Sequence, residues 1–215
     1  MVKPNGIELS QDPKAFSEDL DRGSKLFLEK RVVAVFGGSS LGESSEYCRG
    51  ATALSRKLAE SGITVITGGG PGIMNAANEG AKAVDENKTY GLRVAAIHDE
   101  NIIERPNIKE GHLMVYRTLS VRLLTLIGAS NAIVFFPGGF GTLEEMFSLL
   151  VRIRVNMMKK IPVFFYDTKF WGGLKKWLEE TVLGNGLINS RDMDLMQIED
   201  DIDEIVKKIL GDMPG

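Results

Sequence analysis

Short apolar runs alternate along this chain with longer stretches whose apolar positions recur every three to four residues. Val32–Phe36, Ile63–Thr67, Leu92–Ile97, Ala132–Phe136 and Ile161–Tyr166 are β-branched or aromatic and of strand length, which predicts buried strands. Leu113–Val115 reads as a shorter one, and Asp192–Ile198 has room for another. Helical spacing sets in between them. Phe16, Leu20, Phe27 and Leu28 predict a leading helix to about Lys30. Ala51, Leu54, Leu58 and Ala59 predict a second, capped by Ser44 and ended by Gly62. Ile73–Glu86 is a small-residue helix (Ala76, Ala77, Gly80, Ala81, Ala83) suited to close approach to the sheet or to a second subunit. Thr118–Ser130 follows, with Leu119, Leu123, Leu126 and Ile127 inward. Further helices run from Thr142 to about Met158, over Phe170–Leu183 and over Ile202–Leu210. Asp99–Gly111 lacks periodicity and reads as a surface loop, with Arg105 and Lys109 on it; Met1–Asp12 reads as a loose tail. Strands alternating with helices of this length predict an α/β, Rossmann-like, doubly wound parallel sheet in three α/β/α layers. The expected organisation is a single domain over 31–215, preceded by a tail and helix over 1–30.

Composition narrows the classes. The 215 residues fit one domain with a full core. A formal net charge of −3 argues against a general nucleic-acid or acidic-membrane surface. Cys48 is the single cysteine, so an intramolecular disulfide is impossible and a cysteine-based zinc site is not expected. No apolar signal core or membrane span stands out, so a cytoplasmic protein is expected.

Three of the predicted strands run into glycines. Ala132–Phe136 meets Pro137, Gly138, Gly139 and Gly141; Val32–Phe36 meets Gly37, Gly38 and Gly42; Ile63–Thr67 meets Gly68, Gly69, Gly70 and Gly72. A strand passing through glycines to a helix N-terminus offers free N–H groups and a positive dipole end to an anion, most often a phosphate. In a parallel sheet all three turns share the carboxyl edge, where open α/β sheets bind ligands. The recurrence points to a nucleotide-type site.

Common nucleotide and hydrolase signatures fit poorly. Gly37–Gly42 has Walker-like glycine spacing but continues with Glu43 and Ser44, without the lysine of a P-loop. No stretch gives a clean G-x-G-x-x-G for NAD. Gly38-Ser39-Ser40-Leu41-Gly42 matches a G-x-S-x-G elbow on paper, and a triad would draw on His98 or His112 with Asp85 or Asp99. Thr142-x-x-Glu145 has capping-box spacing, so Glu145 has both a structural and a chemical reading. Arg122 lies on the helix that feeds the central strand.

Pro137-Gly138-Gly139-Phe140-Gly141-Thr142-Leu143-Glu144-Glu145 resembles the PGGxGTxxE motif of the LONELY GUY family, proteins often mislabelled as lysine decarboxylases. The resemblance runs from about Arg31 to Leu178 and includes Phe36–Ser40 and Thr67–Met74. It implies a Rossmann-like homodimer or larger assembly acting as a nucleoside 5′-monophosphate phosphoribohydrolase, releasing a free base such as adenine or a cytokinin. Carried over residue by residue, it implies Arg122 and Glu145 as the reactive pair. Gly37, Ser39, Gly69, Gly70, Gly72, Gly138, Gly139, Gly141 and Thr142 would bind an AMP-like substrate, with no cofactor and no metal. Apolar Met146, Phe147, Leu149, Leu150 and Ile153 suit an interface. Two positions depart from the family: Leu123 follows the arginine where lysine is usual, and Asn75 stands where the similar motif reads glutamate. They imply changed substrate choice, or a sensor or carrier that binds a nucleotide without cleaving it. An amino-acid decarboxylase would need a cofactor such as PLP held by a lysine, for which the sequence offers no argument.

Overall fold

A computed structural model describes residues 13–95 and 107–213; the segments 1–12, 96–106 and 214–215 and the side chains of Pro13, Ala15, Phe16 and Ser24 lie outside it. Seven strands form one parallel sheet: β1 (Val32–Phe36), β2 (Thr64–Thr67), β3 (Thr89–Val94), β4 (Leu113–Tyr116), β5 (Ala132–Phe135), β6 (Val163–Tyr166) and β7 (Gln197–Glu199). Their order is β4-β3-β2-β1-β5-β6-β7. The helices are α1 (Pro13–Phe27), α2 (Glu46–Glu60), α3 (Ile73–Lys82), α4 (Leu119–Gly128), α5 (Phe140–Arg154), α6 (Thr168–Trp177), α7 (Ser190–Met193) and α8 (Ile202–Asp212). Helix α6 runs on into a π-helical segment over Leu178–Leu183.

Both faces of the sheet are covered, so β1 and β5 are apolar at every position rather than alternating. Val32, Ala34 and Phe36 of β1 point into the core shared with α1, α4, α5 and α6. Val33 and Val35 point into the core shared with α2, α3 and α8. Phe36, Phe135 and Phe165 stand in register on β1, β5 and β6 and form a stacked ladder with centroid spacings of 5.1 Å. Trp171, wholly buried on α6, packs its edge on Phe165 and closes the ladder. Each such ring contributes about 1.5–3 kcal/mol by burial. The ladder thereby fixes the ends of the strands from which the glycine turns depart.

Several boundaries move for local reasons. β3 starts at Thr89 rather than Leu92, because Asp85 accepts the Asn87 N–H and caps a short 3-10 turn over Glu86–Lys88 that also ends α3 early. The predicted end of β3 at Ile97 lies outside the described residues. Ser45, not Ser44, caps α2 by accepting the Cys48 N–H. Leu119 is exposed, and Val121 takes the inward place on α4. The small residues of α3 serve the sheet and α2 together: Ala76, Ala77 and Ala81 are buried in one core with Val33, Val35 and Val65, while Thr52 of α2 lies directly against Gly80 and donates to the Ala76 carbonyl at 3.1 Å. Met146, Leu149 and Ile153 are buried in this chain's own core and are not free for an interface. Among the described residues no helix is long and apolar enough to cross a membrane.

Candidate active site

The strand order reverses at β1, which has β2 on one side and β5 on the other. Connections leaving the two sides run to opposite faces, opening a crevice at the carboxyl ends. The three glycine turns meet there. The Gly38 N–H donates to the Pro137 carbonyl at 2.9 Å, and the Gly38 carbonyl accepts the Ile73 N–H at 3.1 Å. Above them lies a cavity of about 590 Å³, walled by Gly37–Leu41 and Pro137–Thr142 together with Tyr47, Met74, Arg122, Glu145 and Phe170.

Of the residues predicted from sequence, Gly37, Ser39, Arg122, Gly138, Gly139, Gly141, Thr142 and Glu145 are all on this wall. Gly69, Gly70 and Gly72 stand behind it and shape it indirectly. Gly72 has a positive φ of 64°, and any β-carbon there would collide with the Gly38 carbonyl. Gly70 leaves room for the Met74 side chain.

Helix α5 begins two residues before the point expected. Gly139 is its N-cap and offers no side-chain acceptor, so the first-turn N–H groups keep their donors toward the cavity. Thr142 therefore sits inside the first turn, its hydroxyl packed against Gly138, where a β-carbon would overlap it. The expected capping box with Glu145 is thus not formed. With the helix started two residues earlier, Glu145 faces α4 instead.

There it meets Arg122. Nη1 of Arg122 donates to Oε1 of Glu145 at 3.3 Å, and Nε donates to the Leu92 carbonyl at 2.7 Å. Only 13% of the arginine side chain and 12% of the glutamate side chain are exposed, so the pair works in a low-dielectric setting. Burial pushes the Glu145 carboxyl up to about 7, while the charge and hydrogen bond of Arg122 pull against that rise. A carboxyl poised near neutrality is suited to taking or giving a proton. Gly68 completes the arrangement, since a β-carbon there would overlap Nη2 of Arg122.

The two departures from the family pattern fall elsewhere. Leu123 is buried in the hydrophobic core. Asn75 accepts from the Asn107 amide at 3.2 Å and lines a separate cleft of about 520 Å³ between α2 and α3. Neither side chain lines the cavity. No serine triad assembles around His112, which stacks on Tyr90 at 4.0 Å and bonds the Thr89 carbonyl; His98 and Asp99 lie outside the described residues. Lys109 is held by Glu86 at 2.8 Å, and Arg105 is outside the described residues. Met74 closes the second glycine stretch, whereas Tyr47 and Phe170 carry no site motif in the sequence. Their one local signal is Asp167, a capping residue directly after β6 whose carboxylate reaches both Tyr47 and Phe170.

A family model described as "Possible lysine decarboxylase" matches residues 74–209. The chain is 29% identical over 189 residues to a pyrimidine/purine nucleotide 5′-monophosphate nucleosidase of Escherichia coli K12, covering 85% of this chain and 41% of that protein. It is 26% identical over 200 residues to a bifunctional cytokinin biosynthesis protein of Fusarium pseudograminearum, covering 86% and 41%. These two relatives are longer, and the matched part of the chain spans about two fifths of each. A cytokinin riboside 5′-monophosphate phosphoribohydrolase of Arabidopsis thaliana, LOG3, is 25% identical over 182 residues, covering 83% of this chain and 81% of that one. Among solved structures, a molybdenum cofactor carrier protein from Chlamydomonas reinhardtii shares the fold, with a TM-score of 0.60, 22% identity and coverage of 85% and 99%.

Proposed function

The chain belongs to the LONELY GUY family, whose model carries the lysine decarboxylase description, and from that premise we propose that it hydrolyses the N-glycosidic bond of nucleoside 5′-monophosphates. The products are a free base, adenine or a cytokinin, and ribose 5-phosphate. The observation that carries this reading is the enclosed Arg122–Glu145 pair beside the open N-terminus of α5 in one cavity. The 5′-phosphate lies on the N–H groups of Gly138–Thr142, and Gly37 and Ser39 close the opposite side. Water adds to C1′ as the C1′–N bond breaks; the water gives up one proton and the departing base nitrogen gains one. Positive charge builds on the ribose as the bond lengthens, as in glycoside hydrolysis generally. Glu145, as carboxylate, stabilises that charge and takes the proton from water. Arg122, always charged, holds the substrate and orients Glu145. Among the described residues, no lysine lines the cavity to hold PLP, so the family's decarboxylase label finds no support in its wall.

We also propose a homodimer or larger assembly in a cytoplasmic setting. Phe140, Phe147 and Val151 are exposed along one stripe of α5, with Val155 and Met157 just beyond it.

The deciding assay is base release from AMP, GMP, IMP, CMP, UMP and isopentenyl-AMP, followed by chromatography. Wild type should release base, and Glu145→Gln and Arg122→Ala should not. Saturable nucleotide binding without release by wild type would overturn the proposal in favour of a sensor or carrier.

A further inference from the structure

Phosphate and ribose account for the glycine turns, Arg122 and Glu145, but not for the aromatic side of the cavity. Tyr47 comes from α2 and Phe170 from α6, helices on opposite faces of the sheet. One carboxylate ties them together. Oδ2 of Asp167 accepts the Tyr47 hydroxyl at 3.0 Å and the Phe170 N–H at 3.1 Å, and Oδ1 accepts the Lys169 N–H at 3.4 Å. Asp167 does this from a φ of 86° and ψ of 102°, a backbone region that non-glycine residues rarely occupy. Strain of this kind persists where the surroundings over-determine it, and it concentrates at functional sites. The Phe170 ring is braced from behind by the edge of buried Trp171, 4.8 Å away, yet remains 43% exposed at the cavity.

We infer that Tyr47 and Phe170 form the wall that receives the heterocyclic base, and that Asp167 is the positioning residue that holds them there. This rests on the nucleotide reading of the same site. Aromatic faces stack on any planar base, so the wall takes the base as a ring and does not read its edge. The site is therefore tolerant among bases, with purines favoured through their larger stacked area.

The test compares two probes by equilibrium binding. Formycin 5′-monophosphate carries an adenine-like base on a C-glycosidic bond that resists hydrolysis, and ribose 5-phosphate carries no base. Phe170→Ala should weaken formycin 5′-monophosphate about tenfold or more while leaving ribose 5-phosphate within twofold. Asp167→Ala should show the same selective loss. Asp167→Asn, which keeps an acceptor and tolerates the positive φ, should recover much of it. Variants that weaken both probes alike, or neither, would overturn the inference while leaving the nucleotide reading in place. Failure of wild type to bind formycin 5′-monophosphate would remove the nucleotide reading itself, and this inference with it.

Discussion

Gly68 and Arg122 are coupled through a missing side chain. A β-carbon on Gly68 would occupy the position of Nη2 of Arg122 and press on Sδ of Met74, 2.8 Å away. The guanidinium is anchored on its other side by the Leu92 carbonyl and Glu145, so it cannot retreat without losing one of them. Gly68→Ala should leave the fold intact by circular dichroism and lower kcat/KM about 100-fold, the scale on which an ångström of misplacement acts. Activity within threefold of wild type would show that the arginine need not hold this position.

Glu145 links pH to both stability and chemistry, in opposite directions. Its carboxyl stands at about 7 in the folded chain against an ordinary 4.5. Between those values the folded state holds more protons than the unfolded one, so the contribution is fully present below about 4.5 and is lost as pH rises through about 7. The difference is on the order of 3 kcal/mol. Urea unfolding should give wild type a stability that falls from pH 5 to pH 8, and Glu145→Gln a flatter dependence. The rate of base release should climb over the same upper range as the carboxylate forms. A Glu145→Gln protein with an unchanged stability profile would show that burial does not raise this group.

Stability and activity should separate at Gly80. A β-carbon there would overlap the Thr52 carbonyl oxygen and come within 3.0 Å of its Cα, and backbone on a packed helix cannot swing aside. Alanine is the better helix former by about 1 kcal/mol, but overpacking of this kind costs about 1–3 kcal/mol. Gly80→Ala should therefore lower the urea midpoint with no change in the denaturant slope, and leave KM for AMP unchanged, since Gly80 is outside the cavity wall. A midpoint equal to or above that of wild type would mean that α2 and α3 can part without loss.

What the sequence made legible was what is written locally. Val32–Phe36 and Ala132–Phe136 announce buried strands by composition, and the glycines after them announce the carboxyl-edge crevice. The Arg122 and Glu145 pairing was legible only through the family motif, because nothing in local spacing says that two helices flanking β5 will meet. Thr142 misled for a physical reason: threonine and glutamate at capping spacing look like a helix start, but Gly139, three residues earlier, caps the helix without a side chain. Asp167, Tyr47 and Phe170 were invisible because their contact joins opposite faces of the sheet, a relation that neither period nor turn chemistry encodes.

The α5 stripe supplies the remaining prediction. Phe140 is 92% exposed, Val151 and Val155 about half, and Met157 lies just beyond the helix end. An exposed apolar ridge of this kind signals an interaction surface, and its spacing of seven and then four residues keeps it on one side of the helix. A second copy of the chain is the proposed occupant. Light scattering of wild type should therefore give a multiple of the 23.6 kDa chain mass. Val151→Asp places a charge in the middle of the ridge without touching the core, since Met146, Leu149 and Ile153 occupy the buried side of the same helix. It should give the single-chain mass with an unchanged circular dichroism spectrum. Wild type that scatters as a single chain at micromolar concentration would overturn the proposed assembly and leave Phe140 as a lip of the cavity alone.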